Sequence, residues 1–204
     1  MKAKLILVFI SLVVSLNLFS QLGIKGGILY GGTGIDDSGF SNYSNWEPGF
    51  FVGTSYSCRL SGKFYIKPGV YLSLLRTSSR YYTPKVNTNI FASELPVLFS
   101  FRPDINNNVK LHFDLGVSGR LGLVYSGNDE RIKQEEGAEQ LRNFDKYNRF
   151  AVALNIGVGI EIHNKYTIGV SYVPELTKYN KTREDGYSNL YRSFRLSVGY
   201  NFKL

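Results

Sequence analysis

The chain has 204 residues, with 24 Lys and Arg against 16 Asp and Glu, a formal net charge of +8 and one cysteine. A single cysteine excludes an intrachain disulfide framework. The basic residues are scattered through the sequence instead of gathered in a patch, which argues against nucleic acid as a partner and favours a basic exterior facing phosphate-bearing lipid headgroups.

The N-terminus, MKAKLILVFISLVVSLNLFSQ, joins Lys2 and Lys4 to an apolar run from Leu5 to Leu16 and a small Ser20 before Gln21. That is the layout of a secretory signal peptide. The run falls short of the about 20 apolar residues a spanning helix needs. The sequence therefore predicts a signal at 1–20, cleaved after Ser20, and one domain at 21–204 that keeps a charge of +6 once Lys2 and Lys4 are removed.

Beyond Gln21, apolar residues alternate with small or polar ones, the period-two mark of strands. Eight such segments are predicted, at about 22–30, 49–58, 63–75, 90–101, 109–125, 149–162, 166–173 and 190–202. In the sixth, RFAVALNIGVGIEI, Phe150, Val152, Leu154, Ile156, Val158, Ile160 and Ile162 share one face. Ala151, Ala153, Asn155, Gly157, Gly159 and Glu161 share the other. An ordinary wet face would carry Thr, Lys and Glu, so a face stripped to Ala and Gly predicts something crowding against it.

The connections alternate in length. RLSG, RPDINNN and HNK are short, whereas the other four are long and polar, and the 138–144 part of the third has the pattern of a short helical turn. Short turns on one side, long loops on the other and an even strand number predict an all-β fold. It is an eight-stranded antiparallel up-and-down transmembrane β-barrel with short periplasmic turns and long extracellular loops. Tyr30, Tyr56, Tyr125, Phe150, Tyr166, Tyr172, Tyr200 and Phe202 lie near strand ends, where outer-membrane barrels place aromatic girdles.

Four stretches carry a family resemblance: QLGIKGGILY after the signal, ASELPVLFSFRP with its Glu94-Leu95-Pro96 core in the fourth strand, the Gly-rich alternating strands, and LSVGYNFKL at the end. The chain thereby resembles the PorT-like outer-membrane β-barrel proteins. The resemblance implies an eight-stranded barrel inserted by the outer-membrane assembly machinery. It also implies kinship with a component linked to protein secretion, and little about activity.

Catalysis and metal binding find little support in the residues. His112 and Asp114 share a strand face, but Ser118 is four residues beyond Asp114, roughly 13 Å along a strand, too far to complete a relay. His112 and His163 have no partner at zinc spacing. Asp104 and Asn106 to Asn108 lack the Gly and distal Glu of a calcium loop, and the Gly clusters near residues 23–34 precede no helix. No cofactor is implied.

An eight-stranded barrel is just wide enough for side chains to fill it. Lys25, Lys67, Glu94, Lys110, Asp114, Arg120, Glu161 and Arg195 fall on the inner parity, which predicts a plugged polar lumen with Glu94, Asp114, Arg120 and Arg195 as a charge cluster. Specific function is then left to the loops, where Trp46, Arg80, Tyr81, Tyr82, Tyr179 and Tyr187 are residue types that form binding hot spots.

The reading is a non-enzymatic outer-membrane barrel with a structural, loop-binding or secretion-accessory role. Its expected partners are membrane lipid and lipopolysaccharide, the assembly machinery, and secretion or surface proteins. Two alternatives are a barrel enzyme acting on lipid or peptide and a secreted lipocalin-like carrier with its oily parity turned inward.

Overall fold

The computed structural model describes residues 20–35, 44–79, 86–127, 148–177 and 189–203. Within them the chain forms β1 (Ser20–Ile35), β2 (Ser44–Ser61), β3 (Phe64–Ser79), β4 (Val86–Phe101), β5 (Asp104–Asn106), β6 (Val109–Gly127), β7 (Phe150–Ile162), β8 (Tyr166–Pro174) and β9 (Asn189–Lys203). The eight long strands pair antiparallel in the order β4-β3-β2-β1-β9-β8-β7-β6, and β4 also pairs with β6. This last ladder closes the sheet into a barrel and leaves no free edge along the long strands. β5 is a three-residue extension of the β4–β6 turn, paired to β6 at Lys110 and Val109.

Three tight connections sit at one end. His163 and Asn164 both adopt positive φ, 53° and 55°, in a turn closed by Lys165 N–H donating to the Ile162 carbonyl at 3.0 Å, a backbone twist that matches that of the strands. Gly62, at φ 54°, serves the β2–β3 turn. At the opposite end the strands outrun the expected boundaries: β1 continues to Ile35, β2 starts at Ser44, β3 continues to Ser79 and β4 starts at Val86. Ser78 pairs with Asn87 and Thr77 with Thr88 there. Both faces are polar at that end, so backbone pairing persists where the period-two signal has vanished.

The oily parity points outward. Ile28, Val52, Leu95, Leu115, Ile156, Leu196 and Val198 are all exposed at 47–61%, whereas Ser73, Ser100, Ser193 and Ser197 on the opposite parity are buried. A lipocalin-like carrier needs the reverse orientation, and the chain does not have it. Two aromatic groups mark the rims of this apolar wall. Near the tight turns, Phe64, Phe99, Phe101 and Phe113 pack in series and Tyr166, Tyr200 and Phe202 form a second set. Toward the long connections, Trp46 lies 5.8 Å from Tyr30 and 5.7 Å from Phe194, with Tyr172 4.9 Å from Phe194.

Two expectations need correction. Trp46 is not a loop residue: β2 begins ahead of it, and its ring joins the outer aromatic wall. The alternation that would have revealed this is broken by Pro48 and a register shift between Trp46 and Phe50. Tyr125 is not part of a girdle but is buried inside the barrel, 7% exposed. A β-bulge opposite Phe91 and Ala92 inserts one extra residue into β6, and a one-residue shift turns every later side chain to the other face.

Candidate functional site

Among the described residues, buried charged side chains converge in the barrel interior, and the sequence puts them there by parity. β4 supplies Glu94 and, just past its end, Arg102; β6 supplies His112, Asp114 and Arg120; β9 supplies Arg195. All six are buried, at 2–7% exposure. Because burying an unpaired charge costs several kcal/mol, the interior is legible as a set of partners.

Glu94 and Arg195 face each other across the lumen from strands four places apart in the eight-membered ring. Arg195 Nη1 donates to Glu94 Oε2 at 2.7 Å and Nη2 to Oε1 at 3.1 Å, while Ser73 Oγ donates to Oε1 at 2.8 Å. The fork geometry is the strong form of a carboxylate–guanidinium contact. Closer to the tight turns, Lys67 Nζ donates to Asp114 Oδ2 at 2.9 Å, and His112 Nδ1 stands 3.3 Å from the same oxygen. Lower still, Arg102 reaches Glu161 at 3.2 Å, Ser57 at 2.8 Å and Gln21 at 3.4 Å, and its guanidinium covers the Tyr65 ring. It thus ties β4 to β7, β2 and β1. Arg120 forms an ion pair with Glu175 and lies over the Tyr191 ring.

Of the four residues expected to form one cluster three come together, since Glu94 bonds Arg195 and is the register partner of Arg120 across the β4–β6 ladder, and Asp114 stands apart. Asp114 turns to Lys67, and the ion pair of Arg120 is with Glu175. Lys110 lies at the tight-turn rim, 3.8 Å from Asp104. Sequence reading missed Arg102 and Glu175, although the parity of their strands continues to them: Ser100 is followed two residues later by Arg102, and Val173 by Glu175. Both fall in segments whose sequence reads as a connection. Above the ion pairs, Leu29, Leu75, Ile90, Tyr125 and Tyr191 close the lumen with an apolar layer.

The bare face of β7 now has its reason. A Cβ on Gly159 would overlap His112 Nε2 and the Ile168 carbonyl, and one on Gly157 would press on Ser171 Cβ. Gly159 gives up volume so that the β6 imidazole fits. At the level of the ion pairs two small spaces lie in the interior, a cavity of about 30 Å³ beside Lys25, Glu94, Asp114 and Arg195 and one of about 20 Å³ beside Lys25, Lys67, Arg102 and His112, whereas a wider one of about 380 Å³ lies toward the long connections beside Glu47, Thr77 and Thr88. Each of the two small spaces holds no more than a water or two.

Of the other expected binding residues, Arg80, Tyr81, Tyr82, Tyr179 and Tyr187 lie outside the described residues, as do the signal segment through Phe19 and the 138–144 turn. Among the described residues no three His, Cys, Asp or Glu side chains gather as a metal-binding group.

Comparison with known proteins gives the same architecture. The sequence model for the outer membrane protein beta-barrel domain matches residues 15–181. Among solved structures, Neisserial surface protein A is similar with a TM-score of 0.51 and 12% identity over 91% of this chain and 99% of that one. OprG of Pseudomonas aeruginosa gives 0.49 and 10% over 91% and 97%. The attachment invasion locus protein of Yersinia pestis, solved with the heparin analogue sucrose octasulfate, gives 0.45 and 14% over 91% and 100%. No curated protein sequence matches the chain.

Proposed function

The chain belongs to the outer membrane protein β-barrel domain family, and from that premise we propose that it is a non-enzymatic, non-conducting barrel that holds its long connections at the cell surface. An outer-membrane barrel of even strand number keeps its tight turns in the periplasm. This orientation puts Gly62, His163 and Asn164 inside and the segments around 36–43, 80–85, 128–147 and 178–188 outside. Arg80, Tyr81, Tyr82, Tyr179 and Tyr187 then stand where surface or secretion partners and lipopolysaccharide are met. The narrower PorT-like reading, with a secretion-accessory role and insertion by the assembly machinery, rests on QLGIKGGILY, the Glu94-Leu95-Pro96 strand and LSVGYNFKL.

The observation that carries the proposal is the filled lumen. At the level of the ion pairs the interior holds cavities of about 30 and 20 Å³, and the wider space of about 380 Å³ is confined to the long-connection end, against the continuous aqueous path that conduction needs. A catalytic role for His112 and Asp114 is disfavoured on the same ground, since both are buried within that packing at 5% and 6% exposure. In planar lipid bilayers the purified protein is expected to give no stable conductance steps; regular single-channel steps would overturn the non-conducting role.

Maturation is a separate part of the reading. Protein recovered from outer membranes is expected to begin at Gln21 on N-terminal sequencing. Recovery with Met1 and the apolar run retained would replace the signal by an anchor.

A further inference from the structure

Among the described residues, Lys25 stands outside the ion pairs of the barrel interior. The buried luminal carboxylates Glu94, Asp114, Glu161 and Glu175 have Arg195, Lys67, Arg102 and Arg120 as their respective partners, and the half-buried Glu47, at the long-connection end, accepts a hydrogen bond from Ser78. Lys25 projects into the same interior from β1 and borders both small cavities, yet among the described residues no carboxylate forms an ion pair with it. The strands beside it offer none, because its register neighbours are Gly53 and Gly199. An ammonium in an enclosed space needs a counter-charge or hydration.

The lower of the two cavities has the chemistry to supply the counter-charge from outside. Lys25, Lys67 and Arg102 line it, and its one carboxylate, Glu161, already receives bonds from Arg102 and from Asn201 Nδ2. Thr167, Ser55 and Ser197 add hydroxyls to the wall. His112 borders it too, 5% exposed, with neither ring nitrogen in a well-formed hydrogen bond. The space is therefore ringed by positive charge and hydrogen-bond donors, and its volume of about 20 Å³ admits a single small species.

We propose that this lower luminal cavity binds one small monovalent anion, a halide, held by the Lys25 ammonium as its local counter-charge. A phosphate or carboxylate is too large for the space. The bound ion is a structural counter-ion to the plug, in addition to whatever the outer connections bind.

The test uses the full mature chain folded in detergent micelles, with thermal unfolding followed by heat-dependent gel mobility. Sodium chloride or bromide is compared with sodium gluconate at equal ionic strength. A ligand that binds only the folded state stabilises by RT ln(1 + [L]/Kd), so a halide at ten times its dissociation constant raises the midpoint by about 3–6 °C for a chain of this size. Gluconate is expected to give only the screening response. Lys25→Gln is expected to lose the halide increment while keeping the response to gluconate. Equal responses to chloride and gluconate in the unaltered chain, or a Lys25→Gln barrel that keeps the halide increment, would overturn the site. Should Lys25→Gln fail to fold, crystals of the unaltered chain grown in bromide decide the matter. An anomalous peak beside Lys25 Nζ is expected; a cavity without one would remove the anion.

Discussion

Glu94→Gln is expected to lower the stability of the folded barrel by about 3–5 kcal/mol, the usual consequence of removing one member of a buried ion pair. The side chain is 2% exposed and its partner Arg195 is 6% exposed. Glutamine keeps the shape but leaves the guanidinium, which made both of its short contacts to Glu94, without a negative charge. Because the pair spans the lumen between residues 101 apart in sequence, no neighbouring strand can slide to relieve it. For a chain of this length 1 kcal/mol moves the midpoint by about 2–4 °C, so heat-dependent gel mobility should show a drop on the order of 10 °C. Arg195→Gln is expected to be comparably damaging, since it removes both guanidinium bonds to a buried carboxylate and leaves it the Ser73 hydroxyl. The double variant Glu94→Gln/Arg195→Gln should recover part of the combined loss, because two neutral amides can hydrogen-bond where one charge and one amide cannot. If each single variant costs less than about 1 kcal/mol, the value typical of exposed pairs, the lumen is hydrated at this level and the plug is not closed.

Val198→Arg tests the other face. Val198 is 60% exposed on the outer wall, with Ile168 and Gly26 as its register neighbours. On β9 it lies between Phe194 of the upper aromatic group and Phe202 of the lower. That height corresponds to the middle of the apolar band. An arginine facing lipid there costs about 2–4 kcal/mol, falling to roughly 0–1 near the interfaces. Unfolding in phospholipid bilayers should therefore show a large loss for Val198→Arg and a small one for Phe202→Arg. Equal losses, or none in either, would mean that the wall between the two aromatic groups is not the lipid-facing band.

The sequence by itself determined the barrel. Side chains of a strand alternate faces whatever the partner strand is, so Phe150 to Ile162 already separates an oily parity from a small one. Eight such segments with alternating short and long connections leave few other ways to pair. The same parity placed Glu94, Asp114, Arg120 and Arg195 inside. What it could not supply was pairing across the lumen, because alternation fixes a face and not a height or an angle around the ring. Only closure of β4 onto β6 sets Glu94 opposite Arg195 while handing Asp114 to Lys67 and Arg120 to Glu175. Two local irregularities were equally invisible. The bulge in β6 that turns Tyr125 inward and the register shift that brings Trp46 onto the outer wall depend on how neighbouring strands match in length and twist, a property of the assembled sheet. The glycines of β7 belong to both accounts: their number on one face was readable as a sign of crowding, and the tertiary structure shows His112 to be what crowds Gly159.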